Sequence, residues 1–145
     1  MWIFLLFFGP IHVELAWRGV ALPELLRKFS FNKTVLSLGF MWAIWHLPLF
    51  FIEGTYQHNL GLFTIPFWNF ILSAIFTSVI YGLIYIKTKC SILAVIIFHY
   101  FGNLSGETFV LTANAEIFST ILKIIIAIII LYYFSNTNYK NLTEE

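Results

Sequence analysis

The run "IFSTILKIIIAIIILYYF", residues 117–134, holds a single charge, Lys123, and is nearly as long as a membrane-crossing helix. Such a helix needs about 20 mostly apolar residues, so this segment sets the medium in which the chain folds. Four more apolar segments precede it. They run from about Trp2 through the Gly9-Pro10 pair toward Leu26, from about Thr34 to Ile52, from about Leu62 to Ile86, and from about Ser91 to Phe109. The chain of 145 residues is 60% hydrophobic and only 10% charged. Soluble domains carry roughly a quarter charged residues. The expectation is an all-α, polytopic transmembrane helix bundle of about five spanning helices, forming one domain over residues 1–145. A net charge of +1 gives no reason to propose nucleic acid as a partner. Cys90 is alone, which leaves no disulfide framework and no cysteine-based metal site within one chain. Residues 2–8 are apolar, but no basic stretch precedes them and no small-residue cleavage site follows, so they do not read as a cleavable signal.

The loops suggest an orientation. Arg27, Lys28 and Lys33 lie between the first and second segments, and Lys87 and Lys89 between the third and fourth. The intervening loops, "EGTYQHN" and "SGETFVLTANAE", carry Glu53, Glu107 and Glu116 but no lysine or arginine. The positive-inside rule places the basic loops and the C-terminus in the cytoplasm, with Met1 outside.

Polar residues inside the spans are the next constraint, because an ionisable group at the bilayer centre costs on the order of 2.5–3.5 kcal/mol on insertion scales. Glu14 and Arg18 are four residues apart on the first segment, share a helix face and can pair. His46 follows Lys33 by a distance that puts it roughly 20 Å into the second span. His99 and Asn103 share a face of the fourth span, with His99 roughly 15 Å from its cytoplasmic end. Three helices thus bring a carboxylate, two histidines and an amide to a common depth. This set suits hydrolysis: one group takes a proton from water, and others donate to a developing oxyanion. His₂Glu is also a zinc set, a proton relay would use the same groups, and lone histidines also serve as helix–helix hydrogen bonders. Trp42 and Trp45 read as packing, Lys123 as snorkelling or facing the bundle, and His58 as a loop residue. His12 has no partner evident from sequence.

These residues resemble the CPBP family of intramembrane proteases, which includes the CAAX prenyl proteases (Ras-converting enzyme) and bacteriocin-processing or immunity proteins. "GPIHVELAWRG" matches the first family motif at Gly9, Pro10, Glu14, Leu15, Trp17, Arg18 and Gly19. Trp42 and His46 in "WAIWHLPLFF" supply the second motif, and His99 and Asn103 in "IIFHYFGN" the third. The likeness covers roughly residues 9–104, followed by the span at 117–134. It implies a membrane endopeptidase with Glu14, His46, His99 and Asn103 as catalytic residues. Arg18 would be the structural partner of Glu14, and no cofactor would be required. Within that scheme His46 would activate water while His99 and Asn103 form the oxyanion hole. The implied partners are a peptide or protein substrate, prenylated or bacteriocin-like, and the lipid bilayer, with a bacterial plasma membrane as the location.

Two departures stand out. The first glutamate of the family's EExxxR motif is Val13 here. Family members also usually carry spanning helices before the first motif, so the chain reads as N-terminally short. Val13 makes a catalytically weak or inactive protein, acting in peptide binding or bacteriocin immunity, the alternative function.

Overall fold

A computed structural model describes residues 7–109 and 111–135. Six helices lie among the described residues. The first, α1, covers residues 7–26 and is one continuous right-handed coil in which regular turns alternate with wider ones at Phe7–Ile11 and Trp17–Ala21. It is followed by α2 (Phe31–Trp45), a tight 3₁₀ stretch (Leu47–Phe51), the short α3 (Tyr56–Leu60), α4 (Ile65–Lys87), α5 (Ile92–Thr108) and α6 (Ala113–Tyr133). No strand occurs among the described residues.

Hydroxyl side chains start most of these helices. Thr55, Thr64, Ser91 and Thr112 each accept a hydrogen bond from the backbone N–H three residues on, at 3.1–3.4 Å. Such caps satisfy donors that the helix itself leaves unpaired and are worth about 1 kcal/mol each. At the far end of α4 the chain turns through Lys89 and Cys90, both at positive φ, and the Cys90 N–H closes on the Tyr85 carbonyl at 2.8 Å. That six-residue closure is a Schellman-type stop, and it reverses the chain into α5.

The core lies where α4 packs between α2 and α6. Two glycines set the first contact. A Cβ on Gly39 would lie 2.6 Å from the Ile75 carbonyl oxygen, and one on Gly82 would overlap the Val35 side chain. Small residues let helix backbones approach closely, which is the main source of packing energy when lipid solvates the outer faces. On α6 the inward stripe is Glu116, Thr120, Lys123, Ala127, Ile130 and Phe134, spaced alternately by four and three. Its last ring stacks on Phe31 at 4.6 Å, and Asn32 donates to the Leu131 carbonyl at 2.8 Å, locking the start of α2 to the end of α6. Isoleucines 121, 125, 126, 128 and 129 point outward, as a lipid-facing surface requires.

Three of the five expected spans are helices long and apolar enough to cross a membrane among the described residues: Phe31–Phe51, Ile65–Lys87 and Ala113–Tyr133. The other two are helical but differ in kind. The first is broken by wide turns, and its residues 2–6 lie outside the described residues. The fourth, α5, has 17 residues and is polar in its second half. The second segment also departs from the expected single helix to Ile52. Its α-helix stops at Trp45 because Pro48 lacks the N–H that would continue the ladder, and the 3₁₀ turn takes over. The loop expected at 53–60 contains α3, which includes His58.

Candidate active site

The site grows from α1. Pro23 cannot donate to the ladder, and its ring would collide with a carbonyl one turn back in a regular helix. The coil widens just before it, so that the Leu22 N–H reaches the Trp17 carbonyl five residues back. Such π-type turns recur at functional sites. Here two of them flank the regular turn that carries Glu14.

Glu14 is fully buried and Arg18 is 1% exposed. Arg18 Nη1 lies 3.2 Å from Glu14 Oε1 and 3.1 Å from Oε2, so the expected pairing of these two residues is present. Its other nitrogen donates to Ser78 Oγ at 3.1 Å, and Ser78 in turn donates to the Val35 carbonyl at 3.4 Å. The rings of Trp42 and Tyr81 both take the guanidinium on their faces, at 5.0 and 4.9 Å. A buried ion pair is less costly when its other donors are engaged and its charge is spread. Ser78 takes one further guanidinium N–H and the two rings face the charge, while Glu14 Oε2 keeps only its ionic contact with Arg18 at 3.1 Å.

From α5, His99 points back at α1. Its Nδ1 donates to Glu14 Oε1 at 2.7 Å, because a carboxylate can only accept. The His99 ring also packs against Trp42 and Tyr81, at 5.7 and 5.5 Å between centroids. His46 sits where α2 ends. Its Nδ1 donates to the Trp42 carbonyl at 2.7 Å, capping an acceptor that the terminated helix leaves open. That bond places the Nδ1–H of the neutral ring and leaves the Nε2 lone pair for other work. Trp42, Trp45 and Phe70 hold the His46 ring on three sides, at 5.1–5.3 Å. Trp42 therefore packs in a T-shaped arrangement with both histidines.

Asn103 is half-buried one turn beyond His99, and its amide nitrogen would be 3.7 Å from a Cβ placed on Gly9. It makes no hydrogen bond to another described residue. The structure thus joins Glu14, Arg18 and His99 by direct bonds, links His46 to them through Trp42, and places Asn103 on the α5 face that meets α1. Lys123 faces the bundle rather than snorkelling and donates to Ser73 on α4 at 2.8 Å. Ser78, Tyr81 and the bridging role of Trp42 carry no mark in the sequence. A single serine or tyrosine in an apolar span looks the same whether it serves packing or a site.

The donor set bears on the zinc alternative. Among the described residues no three of His, Cys, Asp and Glu converge as a metal site would require. The place beside Glu14 that a cation would take is held by the Arg18 guanidinium.

Fold and site together define an all-α integral membrane protein with a buried carboxylate–imidazole pair at its centre. The family model for the type II CAAX prenyl endopeptidase Rce1-like proteins matches residues 1–105, and the chain belongs to that family. The CAAX prenyl protease 2 of Methanococcus maripaludis is 35% identical to it over 134 residues, covering 90% of this chain and 49% of that protein. The chain spans about half the length of this curated relative.

Proposed function

We propose that the chain is an intramembrane endopeptidase that hydrolyses a peptide bond with a water activated between α2 and α5. The observation that carries this reading is the 2.7 Å bond from His99 to a wholly buried Glu14 that Arg18 holds from the other side. A carboxylate fixed in this way orients an imidazole rather than merely stabilising a helix contact.

His46 is the water-activating base in this reading, acting through Nε2. His99 and Asn103 donate to the developing oxyanion. For His99 to donate from Nε2 while Nδ1 donates to Glu14, it acts as an imidazolium with Glu14 as its counter-ion. Glu14 then becomes a positioning residue, one step behind the catalytic groups among which the sequence reading places it. The reaction needs no metal, consistent with the engagement of Glu14 by Arg18. The substrate class taken over from the family is a peptide with a prenylated C-terminal CAAX motif. The basic loops and C-terminus lie in the cytoplasm of a bacterial cell, following Arg27, Lys28, Lys33, Lys87 and Lys89.

One observation favours a second reading: Val13 stands where the family carries its first glutamate. In that case the site binds peptide without cutting it, as in bacteriocin immunity. Incubating purified protein in lipid nanodiscs with prenylated and unprenylated peptides, with and without chelator, separates the two. Cleavage that resists chelator and disappears in His46→Ala and His99→Ala supports the protease. Saturable binding without any cleavage supports the second reading.

A further inference from the structure

Tyr81, on α4, is buried in the middle of the site, and four neighbours hold its ring. The Arg18 guanidinium lies on its face at 4.9 Å, and Trp42 and His99 pack against it at 5.9 and 5.5 Å between centroids. Phe98 meets it in a T-shaped arrangement at 5.8 Å. The hydroxyl is treated differently from the ring: it makes no hydrogen bond to another described residue. A buried tyrosine usually pairs its O–H, because leaving a buried polar group unpaired costs free energy. The buried indole N–H of the adjoining Trp42 has no partner either. The surroundings of His99 therefore hold donors that the fold itself does not use.

The place of the hydroxyl says what it serves. A Cβ on Gly102 would lie 3.9 Å from Tyr81 Oη. Gly102 directly precedes Asn103 and follows His99 by three positions, so the hydroxyl rests against the turn of α5 that carries both of these residues. An oxyanion donor needs its direction fixed before charge develops and no protein acceptor to give up when it does. The clamped ring supplies the first condition and the uncommitted hydroxyl the second. Its hydrogen also rotates to suit a ligand, which the rigid indole N–H of Trp42 cannot do.

We propose that the Tyr81 hydroxyl is a further oxyanion donor, acting from α4 beside His99 and Asn103 of α5, and thus a catalytic residue. This rests on the protease reading above. The O–H donates to the carbonyl oxygen of the susceptible bond as the tetrahedral intermediate gathers charge, and lets go when the carbonyl re-forms. The phenol keeps its proton throughout.

The test uses Tyr81→Phe, which keeps the ring and removes only the hydroxyl. A farnesylated CAAX peptide is made in two forms, with the peptide bond after the modified cysteine replaced by a phosphinate or by a CH₂–CH₂ link. The phosphinate carries the anionic tetrahedral oxygens of the intermediate, and the link carries no oxygen. Each is titrated into nanodisc-embedded protein in the presence of chelator. The wild type should bind the phosphinate at least tenfold more tightly than the CH₂–CH₂ peptide. Tyr81→Phe should weaken phosphinate binding at least tenfold and leave the other peptide within about twofold, with an unchanged melting temperature. Equal binding of the two probes by the wild type, or binding of neither, overturns the proposal. So does an equal loss of both in Tyr81→Phe, which would make the residue a packing element. A clearly lower melting temperature for Tyr81→Phe would show the hydroxyl already bonded within the fold and would overturn it as well. Cleavage of the unmodified peptide, with a phosphinate preference that Tyr81→Phe leaves intact, would defeat this inference and spare the protease reading. A preference that depends on Tyr81, with the unmodified peptide never cut, would do the reverse.

Discussion

Glu14 and His99 meet at 2.7 Å between α1 and α5, and the same carboxylate lies 3.1 Å from the guanidinium of Arg18. Three ionisable side chains therefore share one desolvated volume, each dependent on the others. Removing one partner of a buried pair leaves the other uncompensated, at a cost of about 3–5 kcal/mol. Arg18→Met should accordingly lower thermal stability more than most single changes in this bundle. Glu14→Gln/Arg18→Met should recover part of that loss, because no lone charge remains, yet stay inactive. Thermal unfolding of the three proteins in one detergent checks this, and a double variant no more stable than Arg18→Met would count against the ion-pair account.

Glu14→Gln alone separates a role in catalysis from one in substrate binding. The amide keeps the volume but is a poorer partner for an imidazolium, so kcat should fall by about 10²–10³-fold with KM little changed. A KM effect with kcat unchanged would mean that Glu14 serves substrate binding instead.

The α2–α4 contact predicts a steric result. A Cβ on Gly39 would press on the Ile75 backbone at 2.6 Å, which no rotamer can relieve, whereas one on Gly106 would meet nothing within 4 Å. Gly39→Ala should destabilise by about 1–3 kcal/mol as the helices part. Gly106→Ala in α5 should be neutral or mildly stabilising, since alanine favours helix by about 1 kcal/mol over glycine. Equal melting temperatures for the two variants would refute the close approach.

How far the sequence disclosed this arrangement varies by residue. Glu14 with Arg18, and His99 with Asn103, are visible because a spacing of four fixes a shared helix face whatever surrounds it. The bond from Glu14 to His99 is not visible, since it depends on how α1 and α5 are rotated and on the wide turns that Pro10 and Pro23 bring. Ser78 and Tyr81 escape notice for the same reason: their value lies in meeting Arg18, 60 and 63 positions earlier in the chain. Pro48 does mark the end of α2, but a hydrophobicity pattern alone runs the span on to Ile52. The membrane setting was the plainest feature, because eighteen nearly uncharged residues admit few other readings.

Tyr56 provides a pH-dependent tie outside the spans. Burial, and then the nearby Glu116 carboxylate, push its phenol above the usual value of 10.0. The folded state therefore holds this proton more tightly than the unfolded chain. The contribution to stability is complete below pH 10 and is lost as pH rises from there through the raised folded value. Hydrogen exchange at the start of α6 should speed up above pH 10 in the wild type. In Tyr56→Phe it should already be fast at neutral pH, and identical profiles for the two proteins would dismiss the tie.

Orientation is checked by single cysteines in a Cys90→Ser background. Positions in the 53–60 loop should react with an impermeant maleimide added to whole cells, and positions beside Lys28 and Lys89 should not. Labelling of Lys28 and Lys89 positions from outside would invert the topology.

Val13 decides how active the site is. It is half-buried and packs against the core beside Glu14, about 100° around the helix from it, so Glu14 cannot simply stand in for a carboxylate at that position. Glu14 is moreover committed to Arg18 and His99, which leaves His46 as the group with a free lone pair. General-base assistance is worth about 10²–10⁴-fold, so a site with His46 as sole base should cleave slowly. Val13→Glu should raise the turnover of a suitable peptide at least tenfold and make the rate depend on a carboxylate at position 13, since Val13→Gln should gain nothing. Wild-type turnover already typical of enzymes, unchanged in Val13→Glu and abolished in Glu14→Gln, would show instead that Glu14 serves as the base.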